Sequence, residues 1–409
     1  MSGNITSSTL YNVNMASLSG GTAGGAEVAA YDAARKLALV LGANGVDFLN
    51  VMTGVRVGGI GKADVGGTGG TPTSLLGTAN SVAIHGDKMA VAFDGASAGV
   101  NGYVAMFQMN GTGSAATWLY TVTGPSAATF AVPDMVTFTP DGSKLLVALE
   151  GEPASNYSVD PFGGVGVINV VAGTLQIADF TAFDSQKAAL KAAGVRLNAP
   201  SDGATPVAGA GLVSKDVEPE YITISSDGTK AYVTLQEANS LAVVDLTGTP
   251  TVTAILPFGT KDHSLAGNGM DTSDQDGFSG ANANIRTVPV KGLYMPDAIA
   301  SFEQGGKTYL VTANEGDARE YSANTDVVRL NAKTAGAYTI QLDPTVFGAN
   351  INTVASEAST IRAAADLGRL AVSRTNGDTD GDGDIDVIHS IGARSFSIWT
   401  IDGGALTRN

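Results

Sequence analysis

Cysteine is absent from this 409-residue sequence, which excludes a disulfide framework and thiol chemistry. It does not exclude export, because a chain this long can form a core without disulfides. Basic charge is scarce, with 23 Lys and Arg against 39 Asp and Glu and a formal net charge of −16. Nucleic-acid binding rests on Lys and Arg neutralising phosphates, so no nucleic-acid partner is expected. An acidic surface suits cations instead, and it also keeps a secreted protein in solution. No uninterrupted apolar run of about 18 residues occurs, so no transmembrane segment is expected. The start, Met1-Ser2-Gly3-Asn4, lacks the basic and apolar regions of a signal peptide. Export is therefore expected to have left a mature form, or to be read from a C-terminal signal. Histidines number three, the scattered His85, His263 and His389. No His-Glu-x-x-His, Gly-x-Ser-x-Gly or Gly-Lys-Ser/Thr string is present, which removes the zinc-protease, serine-hydrolase and nucleotide signatures.

Glycine, by contrast, is plentiful at 53 residues, and only 15% of the chain is charged. Turn-rich, weakly charged sequences with short apolar runs read as all-β architectures. A chain of this length either holds several domains or grows by repetition. A repeat is present. Pro133-Asp134-Met135-Val136-Thr137-Phe138 turns at Pro140-Asp141-Gly142 and returns through Lys144-Leu145-Leu146-Val147-Ala148. Pro219-Glu220-Tyr221-Ile222-Thr223-Ile224 does the same around Asp227-Gly228, and Pro296-Asp297-Ala298-Ile299-Ala300-Ser301-Phe302 around Gly305-Gly306. Asp-Gly and Gly-Gly between β-rich runs signal hairpins. Weaker copies open at Glu27 and Asn80. Third strands are expected at 46–51, 102–107, 165–170 and 241–246, with 395–399 playing that part for the unit opening at Asp297.

Three or four strands per unit, recurring after 53 residues or more, is the pattern of propeller blades. The expected fold is an all-β β-propeller of repeated antiparallel blades, with long loop insertions and one short helix. Residues 1–25 read as an N-terminal extension and 26–409 as the propeller domain, with insertions at about 179–216, 258–292 and 316–393. The helix is expected over Lys187–Ala193, ended by the glycine that follows.

Three acidic sets bear on function. The first is Asp378-Thr379-Asp380-Gly381-Asp382-Gly383-Asp384-Ile385-Asp386. Calcium takes six to eight hard oxygen ligands, and alternating Asp with a Gly turn wraps a short loop around one ion. Asp378, Asp380 and Asp382 match positions one, three and five of an EF-hand loop and Gly383 matches position six. Position twelve is His389 rather than Glu, so the loop is expected to be completed by Asp386 or a distant residue, with Asp384 beside it. The second set, Asp271-Thr272-Ser273-Asp274-Gln275-Asp276-Gly277, is a weaker calcium candidate whose less regular spacing reads better as a polar surface loop. The third is the opening acids Glu27, Asp134, Glu220 and Asp297, with Asn80 in series. On equivalent blade positions they would ring one mouth of a channel, with Glu150, Glu152, Glu315 and Asp317 on the same face. They could bind a cation there, or cap turns and bond neighbouring blades. Arg319 and Arg394 could bind an anionic group or neutralise the acids. His263, between Asp262 and Ser264, is the histidine that invites attention.

Several strings in fixed order resemble the choice-of-anchor I family of bacterial surface and secreted proteins. They are Val132-Pro133-Asp134 through Asp141-Gly142, Glu150-Gly151-Glu152-Pro153, Glu218-Pro219-Glu220-Tyr221-Ile222, Lys261-Asp262-His263-Ser264-Leu265 and Gly292-Leu293-Tyr294-Met295-Pro296-Asp297. Thr312-Ala313-Asn314-Glu315-Gly316-Asp317-Ala318-Arg319, Leu367-Gly368-Arg369-Leu370, the run 377–384 and Gly392-Ala393-Arg394-Ser395-Phe396-Ser397-Ile398-Trp399 complete the set. The resemblance spans about residues 26–403. It implies a propeller-like domain displayed on the bacterial cell surface or secreted, held by variable C-terminal anchors. It places further blade material beyond Asn409, so closing the ring is expected to call on a C-terminal part or a partner chain. Members are often labelled alkaline-phosphatase-like or phytase-like. The expected function is an extracellular calcium-binding (Ca2+) surface or matrix protein, its propeller a binding or assembly module in a surface layer (S-layer) or filament. Its partners would be other surface or matrix proteins, or copies of itself. The alternative is a calcium-dependent phosphoesterase, with Asp134, Glu220, Asp297, Glu315 and Arg319 as catalytic candidates.

Overall fold

The structure is a computed structural model describing residues 28–409 apart from 43, 67–71, 98–99, 127, 200–210, 279–282, 323 and 403. The expected N-terminal extension and Glu27 lie outside the described residues.

Each repeat folds into an antiparallel sheet whose four strands are paired in chain order. The first sheet comprises Ala29–Asp32, Leu37–Gly42, Gly45–Asn50 and Val55–Gly61. The second holds Leu76–His85, Lys88–Gly95, Tyr103–Met109 and Ala116–Val122; the third, Pro133–Phe138, Lys144–Leu149, Gly164–Asn169 and Leu175–Asp179. The fourth is built from Pro219–Ile224, Lys230–Leu235, Ser240–Asp245 and Thr251–Pro257. The fifth takes Ile299–Gln304 and Lys307–Asn314, then leaves the sheet for 80 residues and returns with Ser395–Asp402 and Ala405–Arg408. Ser395–Asp402 pairs with the returning strand of the Asp297 unit, Leu310 opposite Trp399.

The sheets stack face to face in chain order, and strand periodicity shows why. In Met89-Ala90-Val91-Ala92-Phe93, alternate residues point to opposite faces. Met89, Val91 and Phe93 pack with Leu39 and Phe48 of the first sheet, while Ala90 and Ala92 pack with Leu145 and Val147 of the third. Leu146 and Ala148 face Ala231, Val233 and Val244 of the fourth sheet. A strand buried on both faces needs an unbroken apolar run rather than an alternating one. Trp399 fixes the last interface. It lies 5.1 Å from the rings of Phe258 and Tyr294 and donates its indole N–H to Thr312 Oγ1 at 2.8 Å.

The first strands of successive sheets pack on one another, from Ala29–Asp32 to Ile299–Gln304, in a propeller-like succession. No comparable packing joins the fifth sheet to the first among the described residues.

The insertions have their own order. Lys187–Ala193 is an α-helix, ended by Gly194 at φ 104°. The second and third insertions share one five-stranded mixed sheet: Val290–Leu293 runs parallel to Ile388–Ser390, which continues through Ala371–Ser373 to Val327–Arg329. That sheet has a separate core of Val290, Leu330, Leu342, Leu367 and Ile388. Arg362 is buried beside it and donates to the carbonyls of Ile351, Leu330 and Ile340. No helix among the described residues is long and apolar enough to cross a membrane.

Candidate metal centres and the acidic mouth

In the second, third and fourth sheets the opening position of the inner strand coincides with a break in the β-ladder. The register between Lys144–Leu149 and Pro133–Phe138 shifts between the pairs Val147–Val136 and Leu149–Pro133, at Asp134 and Met135. It shifts in the same way at Glu220 and Tyr221, between Pro219 and Ile222, and at Asn80, between Ala79 and Ser81. A bulge leaves its extra residue outside the ladder and re-aims the side chain. The proline before each acid has no N–H to lose at a strand start. Backbone strain sits alongside, with Val132 at φ 45° and Met295 at φ 40°, each just before such a proline. Left-handed conformation at a β-branched residue costs on the order of 1–3 kcal/mol and persists only where its surroundings enforce it. Glu150 N–H bonds Val132 O, and Gly316 N–H bonds Met295 O.

The bulges deliver Asp134 and Glu220, and the segment before Ile299–Gln304 delivers Asp297, to one cavity of about 650 Å³. Glu150, Glu152, Glu237 and Asp317 line it as well. Glu315 is exposed and is not among the lining residues. Carboxylate oxygens of Asp134, Glu150 and Glu220 lie within 4.8 Å of one another. Burial pushes the Glu150 carboxyl well above its usual range, and the charges of Glu218, Glu152, Asp134 and Glu237 add to the effect. Glu220 is raised well above its range by burial and then by Glu150, Glu237, Asp134 and Glu218. Burial also raises Asp297, with Glu315 and Asp317 adding to it. Asn80 also lines the cavity and donates to Asp94 Oδ1 at 2.8 Å.

The one basic residue among those lining the cavity, Arg319, is buried and engaged. Its Nη1 donates to Asp216 Oδ1 at 2.5 Å, Nη2 to the Asp216 carbonyl at 2.6 Å and Nε to Glu218 Oε2 at 3.2 Å. A second buried pair, Arg196 Nη2 with Asp326 Oδ2 at 2.6 Å, stands beside it, and Arg196 Nη1 also holds the Glu237 carbonyl. Of the two roles open to Arg319, neutralising acids is the one this geometry displays. Asp216, Glu218 and Glu237 are site residues that the repeat pattern did not single out as candidates. They fall after or between the strands, where no periodicity marks them.

The Asp378–Asp386 loop lies away from this mouth, in the third insertion. Asp378 accepts from the N–H groups of Gly381 (2.7 Å) and Gly383 (3.1 Å), curling the loop. Glycine is required at turns of the loop: Gly381 and Gly383 have φ 84° and 100°, and a Cβ on Gly377 would lie 2.0 Å from Val387 O. Oxygens of Asp378, Asp380 and Asp382 approach within 4.8 Å of one another. The other two acids turn to a distant residue, so that Asp384 and Asp386 form a similar group with Asp343. The parallel bridge between Leu342 and Ile385 brings Asp343 there, and Asp343 also caps the short helix Pro344–Phe347. Asp384 Oδ1 is buried with no hydrogen-bond partner among the described residues. Burial and then the charges of Asp382, Asp343, Asp386 and Asp380 raise its carboxyl, whereas hydrogen bonds from Thr379 lower that of Asp386. Both clusters offer the hard oxygen donors that calcium takes.

The remaining candidates are occupied. Asp274 pairs with Arg369 through two 2.7 Å bonds, Asp276 accepts from Asn284, and Asp271 accepts from the Ser273 N–H. Arg394 is exposed and donates to the Asp271 carbonyl. His263 Nδ1 lies 2.6 Å from the Asn268 carbonyl, while Asp262 accepts from Ser264 and Lys291, so the three consecutive residues form no relay.

No curated protein matches this chain. A crystal structure of a protein from Lactobacillus plantarum aligns over 76% of this chain and 68% of its own, at 15% identity and TM-score 0.40. Kuenenia stuttgartiensis hydrazine synthase aligns over 74% and 69%, at 14% identity and TM-score 0.36. A protein of unknown function from Bacteroides caccae aligns over 70% and 69%, at 12% identity and TM-score 0.34. The sequence profile of the choice-of-anchor I domain matches residues 27–408, nearly the whole chain, and the protein belongs to that family.

Proposed function

We propose that this protein is a calcium-ordered surface or matrix domain whose stacked sheets are blades of a β-propeller serving as a binding or assembly module. Membership of the choice-of-anchor I family points to a surface-associated protein. The observation that carries the calcium reading is the convergence of Asp378, Asp380 and Asp382, with Asp384 and Asp386 drawn to Asp343 beside them. Calcium there would cancel the repulsion among these acids and tie the loop to the chain around residue 343. The ordered insertion could then present a fixed face to other surface proteins or to further copies in a layer or filament.

Calcium that binds the folded state alone, at 100 times its dissociation constant, stabilises by about 2.7 kcal/mol. Melting of the full chain should therefore shift upward when calcium replaces a chelator, and Asp380→Asn/Asp382→Asn should abolish most of that shift. An unchanged melting temperature in calcium and chelator would overturn the reading.

A second reading, calcium-dependent phosphoester hydrolysis, is favoured by the arrival of Asp134, Glu220 and Asp297 in one cavity. A carboxylate-bound metal polarises a phosphoryl oxygen and activates water. This reading predicts turnover of p-nitrophenyl phosphate in calcium that Asp134→Asn removes while melting is preserved. No turnover of phosphomonoesters, phosphodiesters or phytate would eliminate it and leave the binding module standing.

A further inference from the structure

We propose that the acidic mouth holds a divalent cation of its own, with Asp134, Glu150 and Glu220 as its protein ligands. Oxygens bound to one calcium at about 2.3–2.6 Å can lie no farther apart than roughly 5 Å. The oxygens of these three residues meet that condition, lying within 4.8 Å of one another. They come from two sheets: Asp134 from the first strand of the third, Glu150 from just past its second strand, and Glu220 from the first strand of the fourth. A cation here therefore joins two neighbouring sheets at their inner edge.

A second observation points the same way. Glu237 lines the same cavity and is 7% exposed, and its Oε2 is buried without a hydrogen-bond partner among the described residues. A buried carboxylate oxygen normally has a donor or a metal. The one basic group among the lining residues, the Arg319 guanidinium, donates to Asp216 and Glu218. Three carboxylates leave coordination positions for water or an anionic group, and the cavity of about 650 Å³ has room for either.

The site shares no residue with the Asp378–Asp386 loop and does not depend on hydrolysis, since a cation that only joins sheets or presents a ligand uses the same carboxylates. The test counts bound calcium by equilibrium dialysis on the full chain after chelator treatment. The mouth variant Glu150→Gln/Glu220→Gln should bind one calcium fewer than the unaltered protein. The loop variant Asp380→Asn/Asp382→Asn should keep the ion that the mouth variant loses. Equal calcium binding by the folded mouth variant and the unaltered protein would overturn the proposal, whatever the loop variant does. If the mouth variant fails to fold, manganese-soaked crystals of the unaltered protein decide it. An anomalous peak among Asp134, Glu150 and Glu220 supports the site, and its absence overturns it.

Discussion

Arg319 donates from all three guanidinium nitrogens into Asp216 and Glu218, and all three residues are almost completely buried. Removing one partner of such a set leaves uncompensated buried charge, which costs about 3–5 kcal/mol. Arg319→Ala should therefore lower stability by about that amount in urea unfolding. A loss under 1 kcal/mol would show that the pair is not formed as described. At this scale the sequence was partly readable. Asp134 and Glu220 could be picked out because a proline, an acid and an apolar run recur together before a turn. Glu237, Asp216 and Asp343 could not, because each reaches its cluster through contacts between residues far apart in the chain. Asp343, for instance, arrives by the Leu342–Ile385 bridge. Arg319 stood in a recognisable string, but only its partners, more than a hundred residues earlier, decide its role.

The hairpin elements are held by their turns. In the third sheet Asp141 accepts from Thr139 Oγ1 at 2.6 Å and from the Ser143 N–H at 3.0 Å. In the fourth, Asp227 repeats this with Ser225 and Thr229. These bonds to the ionised carboxylate, first those from Thr139 and Ser225, lower both groups from 3.8 to about 2. A carboxyl depressed on folding adds stability that is present above its unfolded value and lost as pH falls through the folded one. The pair therefore makes stability fall between about pH 4 and pH 2, and Asp141→Asn/Asp227→Asn should flatten the melting temperature across that window. An unaltered slope would contradict it. Turn chemistry of this kind made the opening hairpins of the third and fourth units legible. The fourth strands escaped because they are outer and half-exposed, such as Ala116–Val122 and Thr251–Pro257, with no unbroken apolar run. The mixed sheet escaped because its parallel pair joins residues near 290 to residues near 388, which no local pattern records.

Across the whole molecule, five sheets stack in succession, and the third, fourth and fifth bring Asp134, Glu150, Glu220 and Asp297 to one cavity. The second and third insertions build a separate sheet that carries the Asp378–Asp386 loop. The two acidic features are thus distinct in the fold as well as in the sequence, and the loop is the one that bears on an ordered surface. The propeller-like succession follows from strands buried on both faces, which cannot stay exposed and so stack sheet upon sheet. The most direct measurement of the calcium account is a long-wavelength anomalous difference map from crystals grown in millimolar calcium. The account predicts a calcium peak ringed by Asp378, Asp380 and Asp382. A well-ordered loop with no peak between Asp378 and Asp386 would contradict it.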